Sequence, residues 1–198
     1  MILENAPLSA LIDALAGEGW AEARGFLSPG EVARLAGISQ ARRQDFHRAS
    51  IGRAAGQNVR DDIRRDAVLW IDNQDPELGF VMQRFADYQQ QLNRELYLGL
   101  NELELHFAAY PAGGFYQRHL DQHRQQDTRV VTVVLYLNPP DWQSDDGGQL
   151  RLYLDDGSHH DVQPAGGTLV TFLSNRFEHE VIPARRERLS LTGWYRRR

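Results

Sequence analysis

From residue 103 to the C-terminus the chain is a succession of short runs rich in β-branched and aromatic residues, each cut off by Gly, Pro, Asp or Asn. The runs fall at 103–110, 115–120, 129–137, 149–153, 159–162, 168–172, 178–182 and 189–195. Runs of this length bounded by turn residues read as strands. Eight short strands suit two facing sheets wound as a jelly roll, the cupin-like barrel also called a double-stranded β-helix.

The first hundred residues have a different period. Leu8, Leu11, Ile12 and Leu15 recur at helical spacing and predict a helix ending near Gly17 and Gly19. Ser28-Pro29-Gly30-Glu31 predicts a capped start, with Ser28 as N-cap, Pro29 in first position and Glu31 closing a capping box, for a helix running into the forties. A third helix is expected over 77–98, where Phe80, Phe85, Tyr88 and Leu92 share roughly one face. These helices would brace one outer sheet face. Residues 49–66, rich in Gly, Arg and Asp and poor in regular apolar spacing, predict a long mobile loop of the kind that serves as a lid. A chain of 198 residues is long enough for one domain with a sizeable core and short for two. The expected organisation is therefore a single α+β domain, with 1–100 as helical support plus a substrate lid and 101–198 as the jelly-roll core.

Composition narrows the chemistry. There is no cysteine, so disulfides, zinc ribbons, iron–sulfur clusters and thiolate nucleophiles are excluded, and any metal site must use His, Asp or Glu. A formal net charge of −5 offers no general field for a phosphate backbone, and no nucleic-acid partner is expected. The Arg196-Arg197-Arg198 end reads as a solvated tail. Glu4 and Asp13 interrupt the N-terminal apolar pattern and no stretch is apolar enough to span a bilayer, so the default expectation is a cytoplasmic protein with no membrane partner.

His119 and Asp121 stand two apart in a predicted strand, so their side chains leave the same face, and in a jelly roll one face points into the barrel. A third ligand from a distant strand would complete a 2-His-1-carboxylate triad for Fe(II), and His179 is the best candidate. The competing reading of His-x-Asp is an exposed polar pair at a strand end. Arg188 follows His179 by nine residues on the neighbouring predicted strand, where a hairpin would return it to the barrel. An arginine there needs an anion, and the distal carboxylate of 2-oxoglutarate suits a planar guanidinium. The alternative is a surface arginine beside Arg185 and Arg186. His106, His123, His159 and His160 read as structural or solvent-exposed.

Six stretches carry a family resemblance: Tyr110-Pro111, Tyr116-Gln117-Arg118-His119-Leu120-Asp121, Leu135-Tyr136-Leu137-Asn138, Gly147-Gly148-Gln149-Leu150-Arg151, His179-Glu180-Val181, and Arg188-Leu189-Ser190-Leu191-Thr192-Gly193-Trp194. In order and spacing they resemble the catalytic core of the prolyl hydroxylases that modify hypoxia-inducible factor, especially their bacterial relatives. Upstream, Ile63-Arg64-Arg65-Asp66 with Trp70-Ile71 resembles the segment entering that family's substrate-covering loop, so the likeness covers well over half the chain. It implies an Fe(II) dioxygenase with 2-oxoglutarate and O2 as co-substrates, stimulated by ascorbate, that hydroxylates C4 of a prolyl residue on an exposed loop of a protein. It implies iron on His119, Asp121 and His179, the distal carboxylate on Arg188 and Tyr136, and a pocket lined by Tyr110, Thr192 and Trp194. Arg64, Asp66 and Arg129 would form ion pairs that order the lid. The bacterial members point to elongation factor Tu as partner.

The chain departs from the mammalian enzymes in ending just after the last core strand and in a slightly shorter connection between Tyr110 and His119. Both departures bear on the protein substrate and its mode of binding. Rival readings are a hydroxylase of a free amino acid or small metabolite and a metal-free jelly roll serving as a binding or sensor module. Nucleic-acid dealkylation would want a basic groove with stacking aromatics, which an acidic chain does not favour.

Overall fold

A computed structural model describes residues 1–49, 60, 62–122 and 128–198. In chain order the elements are β1 (Ile2–Glu4), α1 (Leu8–Gly17), β2 (Trp20–Arg24), α2 (Pro29–Ala41), β3 (His47–Arg48), β4 (Ala67–Trp70), α3 (Gly79–Leu96), β5 (Glu102–Tyr110), β6 (Tyr116–His119), β7 (Arg129–Tyr136), β8 (Leu150–Tyr153), β9 (His159–Val162), β10 (Leu169–Leu173), β11 (His179–Val181) and β12 (Arg188–Arg196). The eight strands read from the second half are all present. Four of them, in the order β10-β7-β12-β5, form the centre of a large sheet, and the other four form a small sheet ordered β6-β11-β8-β9. Each sheet interleaves early with late strands, which is the winding of a jelly roll.

The first half carries strands between its three predicted helices that its periodicity does not show. It adds β1 and β2 to one side of the large sheet and β4 and β3 to the other, making eight strands. Trp20-Ala21-Glu22-Ala23-Arg24 is too short and too rich in alanine and charge to signal a strand alone. It becomes one because β10 offers a free edge, pairing Val170 with Glu22 and Phe172 with Trp20. Residues 50–59 and 61, most of the expected lid, lie outside the described residues, as does His123.

The helices fall where the caps and spacing place them. Ser28 N donates to Glu31 Oε2 at 2.8 Å, and Glu31 N reaches Ser28 Oγ at 3.4 Å, closing the predicted capping box. On α3 the buried face is Val81, Phe85, Tyr88 and Leu92. The expected leading residue, Phe80, instead sits half-buried, with the Arg34 guanidinium 4.4 Å above its ring. Helices α1 and α3 cover the outer face of the large sheet in one apolar cluster with Phe107, Val133, Leu135, Leu169, Leu191 and Tyr195. Two buried hydroxyls pin α3: Tyr195 donates to the Phe85 carbonyl at 2.7 Å, and Tyr88 to Thr171 Oγ1 at 3.2 Å. With odd-parity residues of β12 held outward by that cluster, Arg188, Ser190, Thr192 and Trp194 turn inward.

Candidate metal and anion site

His119 closes β6 and His179 opens β11, and the antiparallel register sets them directly opposite each other. Neither strand is near the other in sequence; the jelly-roll winding alone makes them neighbours. Asp121 lies just past the end of β6, buried between the two imidazoles, with Oδ1 3.6 Å from His119 Nε2 and Oδ2 3.5 Å from His179 Nε2. One ligand atom from each residue falls within 4.8 Å of the others.

Backbone carbonyls select the tautomer of both rings. His119 Nδ1 lies 2.7 Å from the Gln117 oxygen and His179 Nδ1 3.3 Å from that of Phe177. A carbonyl only accepts, so Nδ1 is the protonated nitrogen of each neutral ring, and Nε2 keeps its lone pair toward Asp121. Burial lowers the pKa of His179 to about 4, which makes that ring a neutral ligand at pH 7. Burial pushes the Asp121 carboxyl up, but His179 and His119 outweigh it and hold the group well below the usual carboxylate range. Thr132 Oγ1 donates to Asp121 Oδ2 at 2.8 Å and shares a 2.9 Å hydrogen bond with Ser174 Oγ. Two imidazole nitrogens and one fixed carboxylate form the donor set that suits Fe(II) and leaves its remaining positions to other ligands.

At the start of β12, Arg188 is 1% exposed, and the register sets it opposite Tyr110. Its Nε donates to the Gly148 carbonyl at 2.8 Å, and Nη1 reaches Ser190 Oγ at 3.5 Å. Among the described residues Nη2 has no hydrogen-bond partner, and neither has the buried Tyr136 hydroxyl. The rings of Tyr110 and Tyr136 each stand 5.0 Å from the guanidinium carbon. Gly148 has φ +75°, and a Cβ there would lie 3.2 Å from Arg188 Cδ, so the glycine lets its carbonyl meet the arginine. A buried cation with one N–H face open and a hydroxyl beside it is costly unless an anion completes it. The donor geometry fits a carboxylate.

The other expected residues are also located. Thr192, partly buried, hydrogen-bonds Ser190 through its hydroxyl at 3.1 Å. Trp194 is buried, and the Arg129 guanidinium covers its ring at 3.5 Å. Arg64 and Asp66 form a two-bond ion pair with each other, at 2.7 and 2.5 Å, and Arg129 Nη2 donates to Glu104 Oε2 at 3.4 Å. Of the histidines set aside, His159 is exposed and His160 binds the buried Glu22 at 2.7 Å. His106 is buried on the inner face, its ring 4.8 Å from that of Trp70 and 5.4 Å from that of Trp194. Thr132, Ser174, Ser190 and the Gly148 carbonyl were not foreseen as part of the site. Parity on β7 carries a signal for Thr132, since positions 132, 134 and 136 share the face of Tyr136.

Comparison with known proteins agrees with this geometry. Residues 105–196 match the 2OG-Fe(II) oxygenase superfamily. A prolyl-4-hydroxylase of Pseudomonas putida is 44% identical, with a TM-score of 0.88 over 97% of this chain and 100% of that one. A prolyl hydroxylase of Trichoplax adhaerens, solved with a peptide of the hypoxia-inducible-factor oxygen degradation domain, is 28% identical, with a TM-score of 0.84 over 96% of this chain and 88% of that one. Human Egl nine homolog 1 is 34% identical over 143 residues, 68% of this chain; the chain spans 33% of that relative's length. Among the described residues no helix is long and apolar enough to cross a membrane.

Proposed function

The chain belongs to the 2OG-Fe(II) oxygenase superfamily, and we propose that it is a prolyl hydroxylase that oxidises C4 of a prolyl residue in a protein substrate. The observation that carries the reading is the pairing, inside one barrel, of a His119–Asp121–His179 donor set with a buried arginine whose Nη2 is open beside an open tyrosine hydroxyl. One half suits the metal and the other the distal carboxylate of 2-oxoglutarate. Whole-length likeness to a prolyl-4-hydroxylase supports the choice of C–H bond.

In this reading the two Nε2 atoms and the Asp121 carboxylate hold Fe(II). When bound, the metal with 2-oxoglutarate and O2 supplies C–H oxidation, with succinate and CO2 as co-products. The chain supplies the rest. Gln117 and Phe177 carbonyls keep both imidazoles in the metal-binding tautomer, and Thr132 fixes Asp121. Arg188 takes the distal carboxylate in a charge-assisted pair, with the Tyr136 hydroxyl as a further donor. Tyr110, Val134 and Val170 line the inner face and keep water from the reacting centre.

Elongation factor Tu, implied by the bacterial resemblance, is the substrate to test first. The protein is incubated with Fe(II), 2-oxoglutarate, O2 and elongation factor Tu, and peptides are mapped by mass spectrometry. The expected result is a one-oxygen gain on a prolyl residue with matching succinate. Oxidation of free proline with no protein modified would favour the small-metabolite reading. Succinate release without any modified acceptor in a whole-cell lysate would sink prolyl hydroxylation.

A further inference from the structure

We propose that residues 62–66 are a buttress for His119, with Arg64 and Tyr116 as positioning residues that set the plane of its imidazole. The inference rests on the reading of His119 as a metal ligand. Its starting point is that His119 is poorly placed to be one. It ends β6, a four-residue strand at the edge of the small sheet, where β11 is its one strand neighbour among the described residues. Its side chain is 18% exposed, against 6% for Asp121 and for His179. An edge residue at a strand end has fewer packing neighbours to hold its rotamer, yet a metal ligand must be held to within a few tenths of an ångström.

The missing support comes from outside the jelly roll. Residues 62–66 lie along the free edge of β6 like a short extra strand. Gln117 N donates to the Ile63 carbonyl at 2.8 Å, Arg65 N to the Phe115 carbonyl at 2.8 Å, and Gln117 Nε2 to the Asp62 carbonyl at 2.7 Å. Above them runs a stack. The Arg64 guanidinium carbon stands 4.3 Å from the Tyr116 ring centroid. That ring stands 3.6 Å from the His119 imidazole at an interplanar angle of 18°. Arg64 is itself locked by the two-bond pair to Asp66, whose side chain is fully buried.

Two separate restraints on His119 therefore begin in the same five residues. One is the stacked face, which fixes the ring plane through Tyr116. The other is the Gln117 carbonyl, which accepts a hydrogen bond from Nδ1–H while the same residue's N–H donates to the Ile63 carbonyl. With face and Nδ1 both fixed, Nε2 has one direction left, toward Asp121. A guanidinium stacked on a tyrosine is planar and delocalised, so neither partner is replaceable by a residue of equal charge or bulk alone.

The test is Co(II) titration of the metal-free protein, read by calorimetry and by the visible ligand-field spectrum, after circular dichroism has shown each variant to be folded. Tyr116→Leu removes the stack and should weaken Co(II) binding by about 10-fold or more, the loss typical of removing a group that orients a ligand. Tyr116→Phe keeps the stack and should restore wild-type affinity to within about twofold on the same scale. The paired variant Arg64→Gln with Asp66→Asn removes the cation without stranding its buried carboxylate; it should also weaken binding, and it carries the test if Tyr116→Leu does not fold. In a His119→Ala background neither replacement should lower the residual affinity further. Unchanged Co(II) affinity in the stack variants, or an equal loss in the His119→Ala background, would overturn the buttress. Full Co(II) affinity in His119→Ala itself would overturn the metal reading beneath it, and that single variant separates the two failures.

Discussion

Arg188 brings a permanent charge into the barrel, and the Gly148 carbonyl and Ser190 hydroxyl together leave Nη2 open. If that nitrogen grips the distal carboxylate of 2-oxoglutarate, Arg188→Lys should raise the KM for 2-oxoglutarate roughly 10-fold or more, because a charge-assisted hydrogen bond is worth about 1.5 kcal/mol or more and an ammonium cannot reproduce the fork. Tyr136→Phe deletes one neutral donor and should cost about 1 kcal/mol. Succinate release against co-substrate concentration measures both, and an unchanged KM in Arg188→Lys removes the arginine from the site. At the metal, His179→Ala should abolish Fe(II)-dependent succinate release with the fold retained, while the exposed His159→Ala should be silent; turnover surviving in His179→Ala would dismiss the triad. His179 and Arg188 were legible in the sequence from their order and spacing along the chain, and Tyr136 from the family resemblance. Ser174 was not, since it lies just past the end of β10 where no parity applies, and parity put Thr132 on the inner face without marking the carboxylate it meets.

Between elements, one contact closes the side of the barrel where the two sheets part. Glu22 on β2 is 1% exposed and accepts from His160 on β9 at 2.7 Å and from Arg24 at 2.8 Å. Trp20 adds a ring 4.7 Å from His160. His160 is structural rather than metal-binding, one of the two roles its sequence setting allows: His160→Ala strands part of a buried carboxylate and should destabilise by about 1–3 kcal/mol in urea unfolding, with Co(II) affinity unchanged. Glu22→Gln with His160→Ala should recover part of the loss; a silent His160→Ala would mean that Arg24 and water suffice. The reason this clasp escaped notice is the reason β2 did. The strands of the second half show themselves by their own composition, whereas β1, β2 and β4 are strands because a neighbouring edge makes them so. Pairing of His119 with His179 was likewise beyond local pattern, since register between strands 60 residues apart is decided by the winding of the whole barrel.

For the molecule as a whole, the inner face holds two histidines that folding keeps neutral, and this sets its response to acid. Burial takes His179 down to about 4; burial, with Arg64 and Arg129 adding to it, takes His106 down to about 3. Both groups ordinarily titrate at 6.5. Between those values the unfolded chain binds protons that the folded chain refuses, so stability must fall as pH falls. The contribution is fully present above pH 6.5 and is lost progressively toward pH 4 for His179 and toward pH 3 for His106. Each ring adds at most about 1.4 kcal/mol per pH unit to the slope. Carboxylates with lowered values, such as Glu22 and the capping Glu31 near 2, lose their contribution only below their ordinary 4.5. The metal-free protein should therefore begin to weaken a full two pH units before its carboxylates protonate. Urea unfolding at pH 7.0, 6.0 and 5.0, roughly spanning the upper part of that window, measures the slope. His106→Met, which fills similar space and cannot titrate, should flatten it by up to one proton's worth. A stability flat from pH 7 to 5 in the wild-type protein would show that both rings already take up protons in the folded state, and with that the neutral His179 on which the metal site depends would fall; an equal slope in His106→Met would remove His106 alone from the effect.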